Sequence, residues 1–165
     1  SKKTIFFSKA IGKKVEYNSQ YSNRYTGSGP LTLVDGLTGS IAHNDNYWQG
    51  WHEEDMDVTI DLSKVESLSR VSMGFLESHG SWIFLPTHVM VSFSDDGISY
   101  KKQVKIQISD GKKGGAANRV ECESESLNFS ARYVRVKAIN RKRCPEWHPG
   151  SGGKTWVFSD EIIVE

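Results

Sequence analysis

Two groups of residues carry the side chains that chemistry needs. Tyr47-Trp48-Gln49-Gly50-Trp51-His52 with Ser78-His79-Gly80-Ser81-Trp82 form the first, and Arg141-Lys142-Arg143-Cys144-Pro145-Glu146-Trp147-His148-Pro149 the second. Gly and Pro keep such segments irregular, and leaving a Trp uncovered there forfeits up to ~3 kcal/mol of burial. That cost points to a use for the indole. A pyranose offers patches of C–H bonds and fans of hydroxyls. An indole face meets the patches, and imidazole, guanidinium and carboxylate groups fork across the hydroxyls. Trp82 and Trp147 are the candidate platforms, and His79, Arg143 and His148 the candidate polar partners. Trp48, ahead of a strand edge, and Trp156, beside Val157 and Phe158, read as core, whereas Trp51 fits either place.

Catalytic chemistry finds little support. Gly150-Ser151-Gly152-Gly153-Lys154-Thr155 lacks the earlier Gly of a phosphate loop, since position 148 is His, and strand follows where a helix is required. Glu53, Glu54, Asp55 and Asp57 cluster after His52. Adjacent acids on a strand point to opposite faces, however, and a glycosidase needs two carboxyls facing each other across a bond; these acids read as a solvated rim. No second His stands four residues after His52, and no Gly-x-Ser-x-Gly elbow exists. Cys122 and Cys144 are too far apart in sequence for a metal clip and read as packed, reduced side chains.

Strands must position these groups. Apolar residues alternate in Val58/Ile60/Leu62, Val71/Met73/Phe75, Val89/Val91/Phe93, Val104/Ile106/Ile108 and Val134/Val136/Ala138, which sets each run on one face of a strand. Asp95-Asp96-Gly97 suits a tight hairpin turn, and Gly- and Pro-rich stretches mark longer loops. No segment holds a 3.6-residue apolar stripe, so the pattern predicts an all-β sandwich with binding loops at one end. The 165 residues form one domain, 1–165, without repeat or linker. With 21 Lys+Arg against 20 Asp+Glu, a net charge of +1 gives no footprint for nucleic acid. The run Lys101, Lys102, Lys105, Lys112 and Lys113 reads as protection of a sheet edge. The opening Ser1-Lys2-Lys3, with no initiator Met, reads as the start of a piece excised from a larger product.

The order Asp35-Gly36, Trp48, Val58-Thr59-Ile60-Asp61-Leu62, Val71-Ser72-Met73, Pro86 through Gly97, Ala131-Arg132-Tyr133-Val134-Arg135-Val136 and Glu161-Ile162 resembles the coagulation factor 5/8 type C (discoidin) domain. Its relatives in carbohydrate-binding module family 32 share that order, and the likeness runs from about residue 15 to the end. Trp48-Gln49-Gly50, Gly80 through Pro86 and Cys144 through Gly150 are further similar to the C-terminal appendage of bacterial glycoside hydrolase family 20 enzymes, the β-N-acetylhexosaminidases or chitobiases.

The resemblance implies an antiparallel jelly-roll β-sandwich, galactose-binding-domain-like, of about eight strands. It implies a non-catalytic module that targets a parent β-N-acetylhexosaminidase to galactose- or N-acetylhexosamine-type glycans, with the parent's catalytic domain as its other partner. The parent would be secreted, periplasmic or on the outer surface of a bacterium; neither nucleic acid nor membrane is an expected partner. The resemblance also implies one structural calcium ion, with Asp35 and Glu161 as its early and late acidic ligands. Leu37 and Asn46 stand where that pattern has Asp and Thr. In the competing reading the appendage packs on its catalytic domain without binding sugar, and Trp82-Ile83-Phe84-Leu85 is the interface patch.

Overall fold

A computed structural model describes residues 7–165; Ser1-Lys2-Lys3 lies outside the described residues. Nine strands carry the described chain: β1 (Lys14–Tyr17), β2 (Gln49–His52), β3 (Met56–Leu68), β4 (Val71–Glu77), β5 (His88–Ser94), β6 (Lys102–Gln107), β7 (Asn118–Glu123), β8 (Phe129–Ala138) and β9 (Trp156–Val164). They pair in two antiparallel sheets, β1-β3-β8-β5-β6 and β2-β9-β4-β7. This is the sandwich expected from the alternation, with nine strands in place of about eight.

The period-two pattern sets the register. Val58 faces Val136 and Ile60 faces Val134 across β3 and β8, and Val91 faces Val136 across β5 and β8. All of these are fully buried between the sheets, because one slipped residue would turn the apolar set outward. On the outer face, Arg135 grips Asp57 through two bonds of 2.9 and 2.7 Å, and Arg132 grips Asp61 through bonds of 2.8 and 3.0 Å. The Lys-bearing β6 is the edge of its sheet, as the basic run predicted. Asp95-Asp96-Gly97 does turn, with Gly97 at φ +76°, but it opens a longer connection that runs from Ser94 to Lys102 instead of a tight hairpin.

Tyr47 through His52 is the main correction to the sequence reading. Gln49–His52 is a strand, not a loop; Trp48 is buried as read, and Trp51, which fitted either place, is buried as well. Trp51 belongs to the central core; Trp48 joins Leu76, Ile83 and Phe158 in a second cluster on the outer face of the four-stranded sheet. Trp156 packs only partly buried against that second cluster.

An irregularity in β9 aims two acids apart. Met73 pairs with Ile162 but Phe75 with Ser159, so β9 carries an extra residue opposite Gly74. Asp160 turns outward to Arg119, which holds it by bonds of 2.7 and 3.1 Å, while Glu161 reaches the backbone of Gly36. The register also gathers one set of connections at one end of the sandwich. Met56 and Val89 both pair with Ala138, and His52 with Trp156. The segments 53–55, 78–87 and 139–155 therefore meet there.

Candidate functional site

Trp82 and Trp147 are 39% and 37% exposed at that end, the two uncovered indoles among the described residues. Each is held from behind. Trp82 follows a 3-10 turn, His79–Ser81, and sits in the left-handed region at φ +63°, a conformation that bulky residues adopt only under constraint. Its N–H donates to the His79 carbonyl at 3.0 Å, and its carbonyl accepts from Trp156 N–H at 2.9 Å. Gly150 and Gly153 give the ring its seat, since a Cβ on either would come within 2.4 or 2.3 Å of it.

Trp147 rides on a loop closed at its neck. Cys144 N–H donates to the Gly153 carbonyl, Gly152 N–H to Cys144, and Thr155 N–H to Lys142, at 2.8, 3.0 and 3.2 Å. Glu53 clamps the outside of that neck, accepting from Arg143 at 2.5 Å and Lys154 at 2.8 Å. Those two cations, Lys154 foremost, hold the Glu53 carboxyl below its usual range. The acidic rim is thus only partly solvated: Glu53 staples the loop, Asp55 accepts from Asn140 N–H at 2.9 Å, and Asp57 is bound by Arg135.

The two histidines lie in the loops the sequence reading named, but their rings are turned into the protein. His79 and His148 are only 5% and 6% exposed, and both are committed to the protein. His79 Nδ1 accepts from Gly114 N–H at 3.1 Å, leaving its proton on Nε2, 3.5 Å from Glu77 Oε2. His148 Nδ1 accepts from Gly150 N–H at 2.9 Å, and its Nε2 donates to the His79 carbonyl at 2.7 Å. Burial makes them struts instead of hydroxyl partners. The His79 ring stacks on Phe84 at 4.7 Å; Trp147 meets His79 edge-on at 5.1 Å, and Trp82 meets His148 edge-on at 5.9 Å. Arg143 is exposed but tied to Glu53. Ile83, Phe84 and Leu85 are buried within the domain at 1%, 2% and 1%, so of the patch assigned to docking only Trp82 is exposed.

Residues the sequence reading missed widen the site. Exposed His52 stacks on Trp156, rings 4.3 Å apart and 17° from parallel, and Trp156 meets Tyr25 edge-on at 5.1 Å. Alternation along His52–Trp51 signals this, because burying Trp51 inward turns His52 outward.

Asp35 and Glu161 meet at the other candidate site. Asp35 accepts from Leu37 N–H at 2.9 Å and Ser28 Oγ at 2.8 Å, and Glu161 Oε2 from Gly36 N–H at 3.1 Å. Glu161 Oε1 is buried with no partner. Burial, with the negative charges of Asp35 and Asp160 adding to it, pushes the Glu161 carboxyl up to about 9. A buried orphan oxygen beside a second acid suits a hard cation. No group of three or more His, Cys, Asp or Glu gathers there among the described residues, so backbone carbonyls would complete the shell.

No curated protein sequence matches the chain. The fold is similar to that of a mutant lectin-binding domain of lectinolysin complexed with Lewis b, with a TM-score of 0.58 and 16% identity over 95% of this chain and 94% of that one. It is also similar to a fucose-binding module from Streptococcus pneumoniae, with a TM-score of 0.57 and 14% identity over 96% of each chain. The CBM32-3 module of a family 31 glycoside hydrolase from Clostridium perfringens gives a TM-score of 0.57 and 16% identity, covering 97% of this chain and 94% of that one. Residues 14–157 match the F5/8 type C domain, so the register, the loop end and the sequence order converge: the chain belongs to the F5/8 type C domain family.

Proposed function

We propose that this domain is a non-catalytic glycan-binding module that lays a galactose- or N-acetylhexosamine-type sugar against Trp147 and Trp82. The observation that carries the reading is the pair of indoles, each more than a third exposed on a backbone that their neighbours over-determine. A preformed aromatic surface meets the C–H face of a pyranose without ordering cost. Similarity of fold to a fucose-binding module, a lectin domain and a CBM32 module supports the same reading.

In this account the parent chain is a secreted or surface-exposed β-N-acetylhexosaminidase of a bacterium, and the module keeps that enzyme near its glycan. Weak single-site binding suffices for such a task, because tethering raises the effective concentration. Asp35 and Glu161 would hold one structural calcium, which supplies positive charge to the Glu161 oxygen that has no partner and ties the 35–37 turn to β9. Exposed His52, stacked on Trp156, is the hydroxyl partner left at this end, since Arg143 and Lys154 are paired with Glu53.

Titration of tryptophan fluorescence tests the reading, with galactose, fucose, N-acetylglucosamine, N-acetylgalactosamine and their short oligomers. A saturable quench that Trp147→Ala abolishes is expected. No response across the panel overturns the proposal.

A further inference from the structure

The polar groups expected to fork across sugar hydroxyls are spent inside the protein: His79 and His148 are buried and Arg143 is ion-paired. An unspent set lies on another part of the surface. The turn 22–29 and the long connection between Gly36 and Trp48 frame a cleft of about 80 Å³, lined by Arg24, Tyr25, His43, Asn44, Asn46 and Trp48. Among the described residues, the side chains of Arg24, His43, Asn44 and Asn46 make no hydrogen bond or ion pair. Arg24 only lies over the Tyr25 ring at 5.6 Å, and His43 meets that ring edge-on at 5.9 Å.

Hydrogen bonds to backbone groups hold both walls of the cleft. Gly39 N–H donates to buried Asp160 at 2.7 Å, and Trp48 Nε1 donates to the Ser40 carbonyl at 3.0 Å. Asp45 accepts from Ser40 N–H at 2.7 Å and Tyr47 N–H at 2.9 Å, which turns the wall's own carboxylate into its backbone. On the other wall Gly50 N–H donates to the Tyr25 carbonyl at 3.2 Å, and Gln49 Nε2 to Gly29 at 2.9 Å. Asn46 sits at φ +69°, which Asn tolerates better than most residues. The result is a row of donors and amide acceptors, with no carboxylate in the lining, over aromatic ring edges. A volume of 80 Å³ is far below the roughly 300 Å³ at which a pocket encloses a small molecule. A cleft of this size admits one edge of a ligand, not the whole of it.

We propose that the Arg24–His43–Asn44–Asn46 cleft is a second glycan subsite, binding another glycosyl unit of the oligosaccharide whose first unit rests on Trp82 and Trp147. This inference rests on the glycan reading of that platform. Trp156 joins the two surfaces: its ring packs on Tyr25 at the cleft, and its N–H bonds the Trp82 carbonyl. A chain of linked sugars spanning both gains affinity over a single sugar through effective concentration.

The test follows the side-chain amide signals of Asn44 and Asn46 and the indole N–H signals of Trp82 and Trp147 by NMR. Two probe pairs are used: N-acetylglucosamine with its β-1,4 hexamer, and galactose with the Lewis b tetrasaccharide. In at least one pair the monosaccharide moves the indole signals alone, and the oligosaccharide moves both sets. The double variant Arg24→Ala/Asn44→Ala then weakens the oligosaccharide about tenfold or more and leaves the monosaccharide unchanged. Both substitutions are on exposed loops, and unshifted indole signals in the free variant verify its fold. If oligosaccharides move only the indoles and bind the variant equally well, the subsite is overturned while the platform stands. If no probe moves any indole, the platform falls first and the subsite with it.

Discussion

A methyl group on Gly153 would lie 2.3 Å from the Trp82 ring. The indole is seated on a glycine floor, and the loop that carries Trp147 supplies that floor. Gly153→Ala requires no left-handed backbone, since Gly153 is not in that region, but its Cβ would crowd the Trp82 ring and, at 2.9 Å, the Gly150 carbonyl. It must therefore displace the ring, at about 1–3 kcal/mol of overpacking. Urea unfolding should show that loss, and sugar titration should show weakening comparable to Trp82→Ala.

Trp82 itself holds a left-handed backbone, φ +63°, a conformation that costs a non-glycine residue about 1–3 kcal/mol. Trp82→Gly and Trp82→Ala remove the same indole, but only Gly relieves the strain. Trp82→Gly is expected to be about 1 kcal/mol more stable than Trp82→Ala, while both lose sugar binding. Equal stability of the two in a denaturant series would contradict the strained-backbone account.

Arg119 and Asp160 test the support of the cleft wall. Asp160 is fully buried, and its carboxylate accepts from Arg119 and from Gly39 N–H. Arg119→Ala leaves that charge unpaired and should cost about 3–5 kcal/mol. The double variant Arg119→Ala/Asp160→Ala should cost less than the two single changes summed, and the coupling is read from a double-mutant cycle.

Glu161 gives the chelated domain a pH dependence. A Glu carboxyl ordinarily titrates near 4.5; here burial, then Asp35 and Asp160, push it up to about 9. Between those values the folded chain holds a proton that the unfolded chain has released. Its contribution to stability is therefore full below about 4.5 and is lost as the pH rises towards about 9, at no more than about 1.4 kcal/mol per pH unit. Thermal melts in chelator should show that slope, and Glu161→Gln should flatten it. Calcium should raise the melting temperature most at the alkaline end of the window, and not at all in Glu161→Gln.

How far the sequence revealed this arrangement depended on whether a signal was local. Alternation at Val58/Ile60/Leu62 and Val134/Val136/Ala138 located the strands because burial on one face repeats every second residue. Trp147, caught between Pro145 and Pro149, is exposed as read. Trp82 and Gly153 are far apart in sequence, so their seat could not be read from either segment. His79 and His148 look like binding groups in sequence, and only their partners, Gly114, Gly150 and each other's loop, reveal struts. The run His43-Asn44-Asp45-Asn46 carried a visible excess of amide and imidazole with Trp48 two residues on, but Tyr25, the other part of its aromatic floor, comes from a separate segment. That juxtaposition exists only after the sheet has folded.

The central claim is contact between sugar C–H groups and the two indoles. Saturation-transfer NMR reads it directly, by irradiating indole protons and observing the sugars of the panel. The account predicts transfer concentrated on the C–H protons of one pyranose face, strongly reduced in Trp147→Ala and absent in Trp82→Ala/Trp147→Ala. Undiminished transfer in the double variant, or none from any sugar to the unmodified domain, would contradict it.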